Sequence, residues 1–242
     1  MKDPRPTVLV TGASRGIGRA VCEKLLAEGC HVIGVARSMS TSGHWPSEFT
    51  GVDLDLGRLD ALPEALKALR RTHPGIGSVI CNAGVGRFGS LEEFSARQIR
   101  ELIDINLTSQ VLLAREFLPH LKRHGENANL IFMGSEAALA GGARGAVYAA
   151  TKFALRGLAQ SLREECAASP VRIGIVNPGM VHSSFFDHLG FAPGDAPDNH
   201  LQPTDVAEAV WLMMSARPGA VIDEINLSPQ KKVIRFGERK RD

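Results

Sequence analysis

The chain has 242 residues, a formal net charge of +2, 44% hydrophobic and 22% charged residues, the profile of a soluble globular protein long enough to bury its own core. That charge is too small to argue for nucleic acid or a membrane surface as partner, and no apolar run reaches the roughly 18 residues of a bilayer span. Four cysteines, Cys22, Cys30, Cys81 and Cys166, stand without a C-x-x-C pair, which excludes a zinc ribbon or disulfide framework and predicts a reduced, cytoplasmic protein.

The opening MKDPRP carries no signal-peptide core and leads into TVLVTG (7–12), a predicted buried strand. Residues 16–28 predict a helix stopped by Gly29, and HVIGVA (31–36) a second strand. SMSTSGHWPSEF (38–49) is loop by composition, followed by a short strand near 50–54 and helical spacing over 59–71. GSVICNAG (77–84) returns to strand. A long helix is predicted from about 96 to 123, with Ser95 as N-cap and Gly125 as its stop. NLIFMGS (129–135) is strand, 147–168 helix, VRIGIVNPG (171–179) strand, 204–215 helix and AVIDEINL (220–227) a last strand. Apolar strands alternating with helices predict an α/β fold, a doubly wound parallel sheet flanked by helices, in one domain over 1–242.

Two segments fall outside that rhythm. HSSFFDHLGFAPGDAPDNHLQP (182–203) is rich in Gly, Pro, Asp and His yet holds Phe185, Phe186 and Phe191, and its place after a strand's carboxyl end predicts a substrate lid. The basic tail, 229–242, reads as a solvated terminus. His120 and His124 share a helical face, but no acid or cysteine lies at zincin spacing, so no metal is expected.

The first strand runs into TGASRGIG (11–18), where Gly12, Gly16 and Gly18 allow a tight turn and the close approach of a pyrophosphate to a helix N-terminus. The spacing differs from G-x-G-x-x-G. NAD would call for an acid at the end of the second strand; here stand Ala36 and Arg37, with Arg15 in the phosphate loop. Cations at that place favour a 2′-phosphate, and the expected cofactor is NADP(H).

Tyr148 is the chain's one tyrosine, and Lys152 follows one helical turn later on the same face. Carbonyl reduction needs a proton donor that can also take the proton back. A phenol of pKa about 10 is a poor base near neutrality, and lowering it by about three units takes roughly 4 kcal/mol. One cation at about 4 Å in an effective dielectric near 20 supplies that much, so the pair predicts an acid/base of lowered pKa.

TGASRGIG at 11–18, NAG at 82–84, Asn106 in a long helix, Ser135 after a strand, Tyr148-x-x-x-Lys152 and NPG at 177–179, in this order, resemble the short-chain dehydrogenase/reductase (SDR) family from about residue 7 to 228. The resemblance implies a Rossmann-type sheet, hydride exchange between a nicotinamide and a small-molecule carbonyl or alcohol, and a homotetramer or homodimer. It implies that Tyr148 is the acid/base, that Lys152 holds the nicotinamide ribose, that Ser135 binds the substrate oxygen and that Asn106 distorts its helix within a proton relay. Ser14, Arg15 and Ile17 belong to the phosphate loop. Asp53 and Leu54 would contact adenine, Asn82, Ala83 and Gly84 would line the adenosine side, and Pro178, Gly179, Val181 and Ser183 would lie by the carboxamide. Ser183 departs from the family's usual threonine. The tail INLSPQKKVIRF resembles members acting on small hydroxy acids with NADP. The competing class is a non-catalytic NADP(H)-binding sensor or scaffold on this fold.

Overall fold

The computed structural model describes residues 6–39, 43–124 and 127–237; the opening residues, the Gly125 stop and the last residues of the basic tail lie outside them. The apolar runs become strands β1 (Thr7–Thr11), β2 (His31–Ala36), β3 (Phe49–Asp53), β4 (Ile76–Cys81), β5 (Asn129–Met133), β6 (Arg172–Pro178), β7 (Phe191–Pro193), β8 (Glu224–Leu227) and β9 (Ile234–Phe236). Seven of them form one sheet in the order β3-β2-β1-β4-β5-β6-β8, with every neighbouring pair parallel. Strands β4, β5 and β6 are buried throughout, which is why they read as continuous apolar runs, while the edge strand β3 is largely exposed.

The helices are α1 (Gly16–Ala27), α2 (Leu62–Thr72), α3 (Ala96–Ile103), α4 (Ser109–His124), α5 (Ala146–Glu165) and α6 (Pro203–Ser215). One face of the sheet is covered by α1 and α6, whose Val21, Leu25, Val206 and Val210 pack on Val8, Val10 and Ile131. The other face carries α2, α4 and α5, where Leu66, Phe117 and Leu155 pack on Leu9, Val79 and Phe132. Buried Arg172 at the start of β6 donates to the Met214 and Ala216 carbonyls at the end of α6 (2.7 and 2.6 Å), which meets orphan acceptors with a cation at the helix dipole's negative end.

The chain crosses from β3 back to β4 beside β1, and this switch point opens a crevice at the strands' carboxyl ends. Ser95 caps α3 in a reciprocal capping box with Gln98. The single long helix predicted beyond it is interrupted: a π-helical turn, Asp104–Thr108, separates α3 from α4. The last sheet strand is shorter than predicted, beginning at Glu224.

From Lys231 to Gly237 the tail is solvent-exposed, as its composition suggests, yet it is not a loose end: β9 pairs antiparallel with β7, Phe191 opposite Phe236 and Pro193 opposite Ile234. Three ion pairs secure it: Lys231–Asp198, Lys232–Glu136 and Arg235–Asp195, each at 2.6 Å. Composition registers those cations as a charge run; only the fold brings their carboxylate partners alongside.

Candidate active site

Thr11 closes β1 and ties the crevice together. Its hydroxyl donates to the Ile80 carbonyl (3.3 Å) and accepts from the Asn82 and Ala83 amides (3.0 and 3.1 Å), while the Asn82 side chain donates to the Thr11 carbonyl (2.8 Å). The loops after β1 and β4 are thereby fastened to each other. Gly12 and Gly16 adopt φ of +67° and +55°, which L side chains resist. Gly18 is required for closeness instead: a Cβ there would fall 2.2 Å from the Gly12 carbonyl oxygen. No side chain caps α1 and no acid occupies its first turn, so its amide groups and positive dipole end are left for a bound anion.

A cavity of about 570 Å³ runs over the carboxyl ends of the strands. Gly12, Ser14, Arg15, Gly16, Ile17 and Gly18 line one end, with Arg37 and Leu54 beside them and Arg15 and Arg37 exposed. Asn82, Ala83 and Gly84 line its middle, and Pro178, Gly179, Val181 and Ser183 its far wall. The Asp53 carboxylate accepts from the Met39 amide at 2.6 Å, and the cavity lining takes up the chain at Leu54 and continues through Asp55, Leu56 and Gly57. Ser183 hydroxyl accepts from the Phe185 amide and caps the first turn of the lid.

Tyr148 and Lys152 both emerge from the buried face of α5. The Ser135 hydroxyl stands beside the Tyr148 phenol on the cavity wall and accepts from the Ala137 amide at 3.1 Å; the serine therefore caps the short helical turn after β5 while facing the phenol. Lys152 sits over the Tyr148 ring, 5.7 Å from its centroid, and donates to the Met133 carbonyl at 2.9 Å. Burial pushes the phenol up to about 12, against the hydrogen bond from Ser135 and with the help of the Glu136 charge. The expected lowering is absent because burial outweighs the partners the phenol has. Burial also takes the Lys152 ammonium down to about 8.

Asn106 lies outside the cavity lining, fully buried within the π-helical turn. Its amide donates to the Val85 carbonyl (2.9 Å) and its carbonyl oxygen accepts from the Val85 amide (2.8 Å). The side chain thus takes the place of a strand partner for the loop after β4. A Cβ on Gly84 would fall 3.2 Å from Asn106 Oδ1 and 3.7 Å from Lys152 Nζ, so Gly84 keeps this passage open.

Sequence reasoning missed three contributors. Thr11 precedes the glycines and carries no signal except its hydroxyl. Phe88 lies four residues after Gly84 and packs on Tyr148 with centroids 5.0 Å apart. Ile234 in the tail lines the cavity, a placement that only the β7–β9 pairing produces. His120 is engaged with the Ile76 carbonyl at 2.9 Å, and no cluster of three or more potential metal ligands occurs among the described residues.

The buried ammonium carries a stability prediction. The folded value of Lys152, about 8, lies below its ordinary 10.5. Below pH 8 both states hold the proton and the fold bears the full cost of the buried charge. Between about 8 and 10.5 the folded state releases its proton first, so stability rises with pH there. That cost is roughly 3 kcal/mol, offset in part by the hydrogen bond to Met133, worth about 1 kcal/mol. Lys152→Met is expected to raise Tm at pH 7 by several degrees and to lose that gain near pH 10, read by thermal melts at both pH values. A lower Tm at pH 7 would contradict it.

Comparison with known proteins agrees with this geometry. The model of the short chain dehydrogenase family matches residues 6–190. The Dehydrogenase/reductase SDR family member 11 of Mus musculus is 29% identical, covering 93% of this chain and 94% of its own length. The 3-oxoacyl-acyl-carrier-protein reductase FabG of Escherichia coli (strain K12) is 32% identical over 72% of this chain and 73% of its own. Among solved structures, an alcohol dehydrogenase from the archaeon Thermococcus sibiricus, complexed with 5-hydroxy-NADP, superposes with a TM-score of 0.81 at 27% identity, covering 95% of this chain and 99% of that one. With the family model matched over well more than half of its length, the chain belongs to the short chain dehydrogenase family of oxidoreductases.

Proposed function

We propose that this chain is an NADP(H)-dependent oxidoreductase that exchanges hydride between the nicotinamide and a carbonyl or secondary alcohol, with Tyr148 as acid/base. One observation carries the reading: a phenol, the Ser135 hydroxyl and a buried ammonium share the wall of a cavity whose other end is an uncapped helix N-terminus flanked by two arginines.

The residues fit the cofactor. The glycine-rich turn and the first turn of α1 offer backbone donors to a pyrophosphate, and Arg15 and Arg37, lining the same end, would meet a 2′-phosphate. Leu54 and the loop after β4 would hold the adenosine, Lys152 the nicotinamide ribose, and the stretch from Pro178 to Ser183 the carboxamide side. The bound dinucleotide supplies or receives the hydride. Ser135 donates to the substrate oxygen and fixes it beside the Tyr148 phenol. With a value near 12 the phenol is protonated at neutral pH, the state needed to give a proton to the oxygen of a carbonyl under reduction. In the reverse direction the phenolate must take that proton, and its population grows about tenfold per pH unit below the pKa. Asn106 acts as a positioning residue, holding the loop after β4 against Lys152.

Four buried free cysteines and the absence of a long apolar helix among the described residues support a cytoplasmic setting. Val111 on α4 and Phe153 on α5, 38% and 44% exposed, support pairing of these helices between copies as homodimer or homotetramer. Light scattering of the purified chain is expected to return a dimer or tetramer mass; a monomer at micromolar concentration removes this assignment.

Tyr148→Phe is expected to cut turnover by at least about a thousandfold with NADPH affinity retained, as loss of an acid/base does. Parent oxidation should climb with pH from 7 to 9 while reduction does not. Activity surviving without the phenol would sink the mechanism, and tight NADPH binding without turnover of any carbonyl would favour the non-catalytic binding reading. Arg37→Ala is expected to weaken NADPH binding about tenfold or more and leave NADH nearly unchanged. Equal titration of both dinucleotides by parent and variant would remove the NADP(H) assignment.

A further inference from the structure

The substrate end of the cavity has a lining unlike its cofactor end. Phe88 packs on Tyr148 at 5.0 Å and stands edge-on to Phe191 at 5.0 Å, and Phe185 lies 6.2 Å from Tyr148. Phe186 bridges the remaining rings, edge-on to Phe185 at 5.2 Å and to Phe191 at 5.7 Å. The aromatic groups around Tyr148 thus come from the loop after β4 and from the lid, and Ile234 of the tail adds an aliphatic side chain to the lining. The tail is stitched to the lid, through the β7–β9 ribbon and through Gly194 to Val233 (2.9 Å) and Lys231 to Asp198 (2.8 Å) along the backbone.

Charge at this end has the wrong sign for an acid substrate. Among the described residues, the cations lining the cavity are Arg15 and Arg37, at the phosphate-loop end, and Lys152, which is buried and bonded to Met133. Besides Lys152, the charged group beside the phenol is Glu136, and it lines the cavity too. Lys232 faces Glu136 at 2.6 Å and offsets that charge from the mouth, with its side chain 66% exposed. A substrate carboxylate would therefore meet ring faces, whose quadrupole is negative, and an anion, whereas a flat apolar group would stack.

Resting on the oxidoreductase reading above, we propose that the substrate is a neutral ketone or secondary alcohol bearing a bulky or flat apolar group, and that the tail strand β9, through Ile234, is part of its binding site. The small hydroxy acids to which the tail motif pointed are disfavoured by this lining.

The test uses the full chain with NADPH and compares kcat/KM for benzylacetone, ethyl acetoacetate and acetoacetate; the last two differ at one group, a neutral ethyl ester against a carboxylate. The expected order is benzylacetone, then ethyl acetoacetate, then acetoacetate, with about 100-fold between the extremes. Phe191→Ala and Ile234→Ala should each narrow that spread by about tenfold through KM. Two separate variants, each checked by its melting temperature, guard against a folding defect in either one. Acetoacetate preferred, with the preference lost in Lys232→Met, overturns the substrate class while the oxidoreductase reading stands. Equal turnover of all three, or a spread unmoved in both well-folded variants, also overturns it. If none of the three turns over while NADPH binds, both readings fail together.

Discussion

A lysine ammonium is held almost entirely out of water in this fold, and much of the site is arranged around it. Burial on this scale drives the charge toward neutrality, yet Lys152 retains a partner in the Met133 carbonyl at the end of β5. The space it occupies exists because α5 turns its face toward the sheet, because Gly84 has no side chain, and because Asn106 fixes the loop after β4 beside it. A π-helical turn carries Asn106, and from it the side-chain amide meets both polar groups of Val85.

The phosphate end depends on a second constraint, the adhesion of two strand ends at the switch point. Thr11 and Asn82 exchange hydrogen bonds so that the two loops of the crevice keep a fixed separation. Gly18 lies so close to Gly12 and Asn82 that the first turn of α1 is pressed into the crevice rather than set back from it. Anion affinity at such a place comes from backbone donors and a dipole, with little dependence on side-chain identity. Arg15 and Arg37 add positive charge at the exposed rim of the same end.

At the opposite end, binding surface is assembled from segments that the chain brings together late. Tyr148 is reached by Phe88 from one loop and Phe185 from the lid, and the lid is in turn held by residues 231–236. The ion pairs that secure the tail are solvent-exposed and individually weak, so the strap is better suited to opening for a substrate than a helix packed on the core would be.

Much of this was legible in the sequence. Buried parallel strands read as apolar runs, glycine at fixed spacing after the first of them marked the phosphate turn, and Tyr148 and Lys152 shared a helical face through simple periodicity. Those are local properties, set by backbone sterics and by which side of an element meets the core. What tertiary structure decided was everything that depends on distant neighbours. Asp53, an expected adenine contact, is committed to the Met39 amide. The phenol's pKa moved up, because burial and the charge of Glu136 outweigh Ser135, and none of those terms can be read from a spacing of four. The tail is solvated as its charge suggested, but its carboxylate partners, Glu136, Asp195 and Asp198, lie far from it in sequence and meet it only in the folded chain. Periodicity reports which face of an element is buried; it holds no information on what that face is buried against, and in this protein that second fact sets the chemistry of the site.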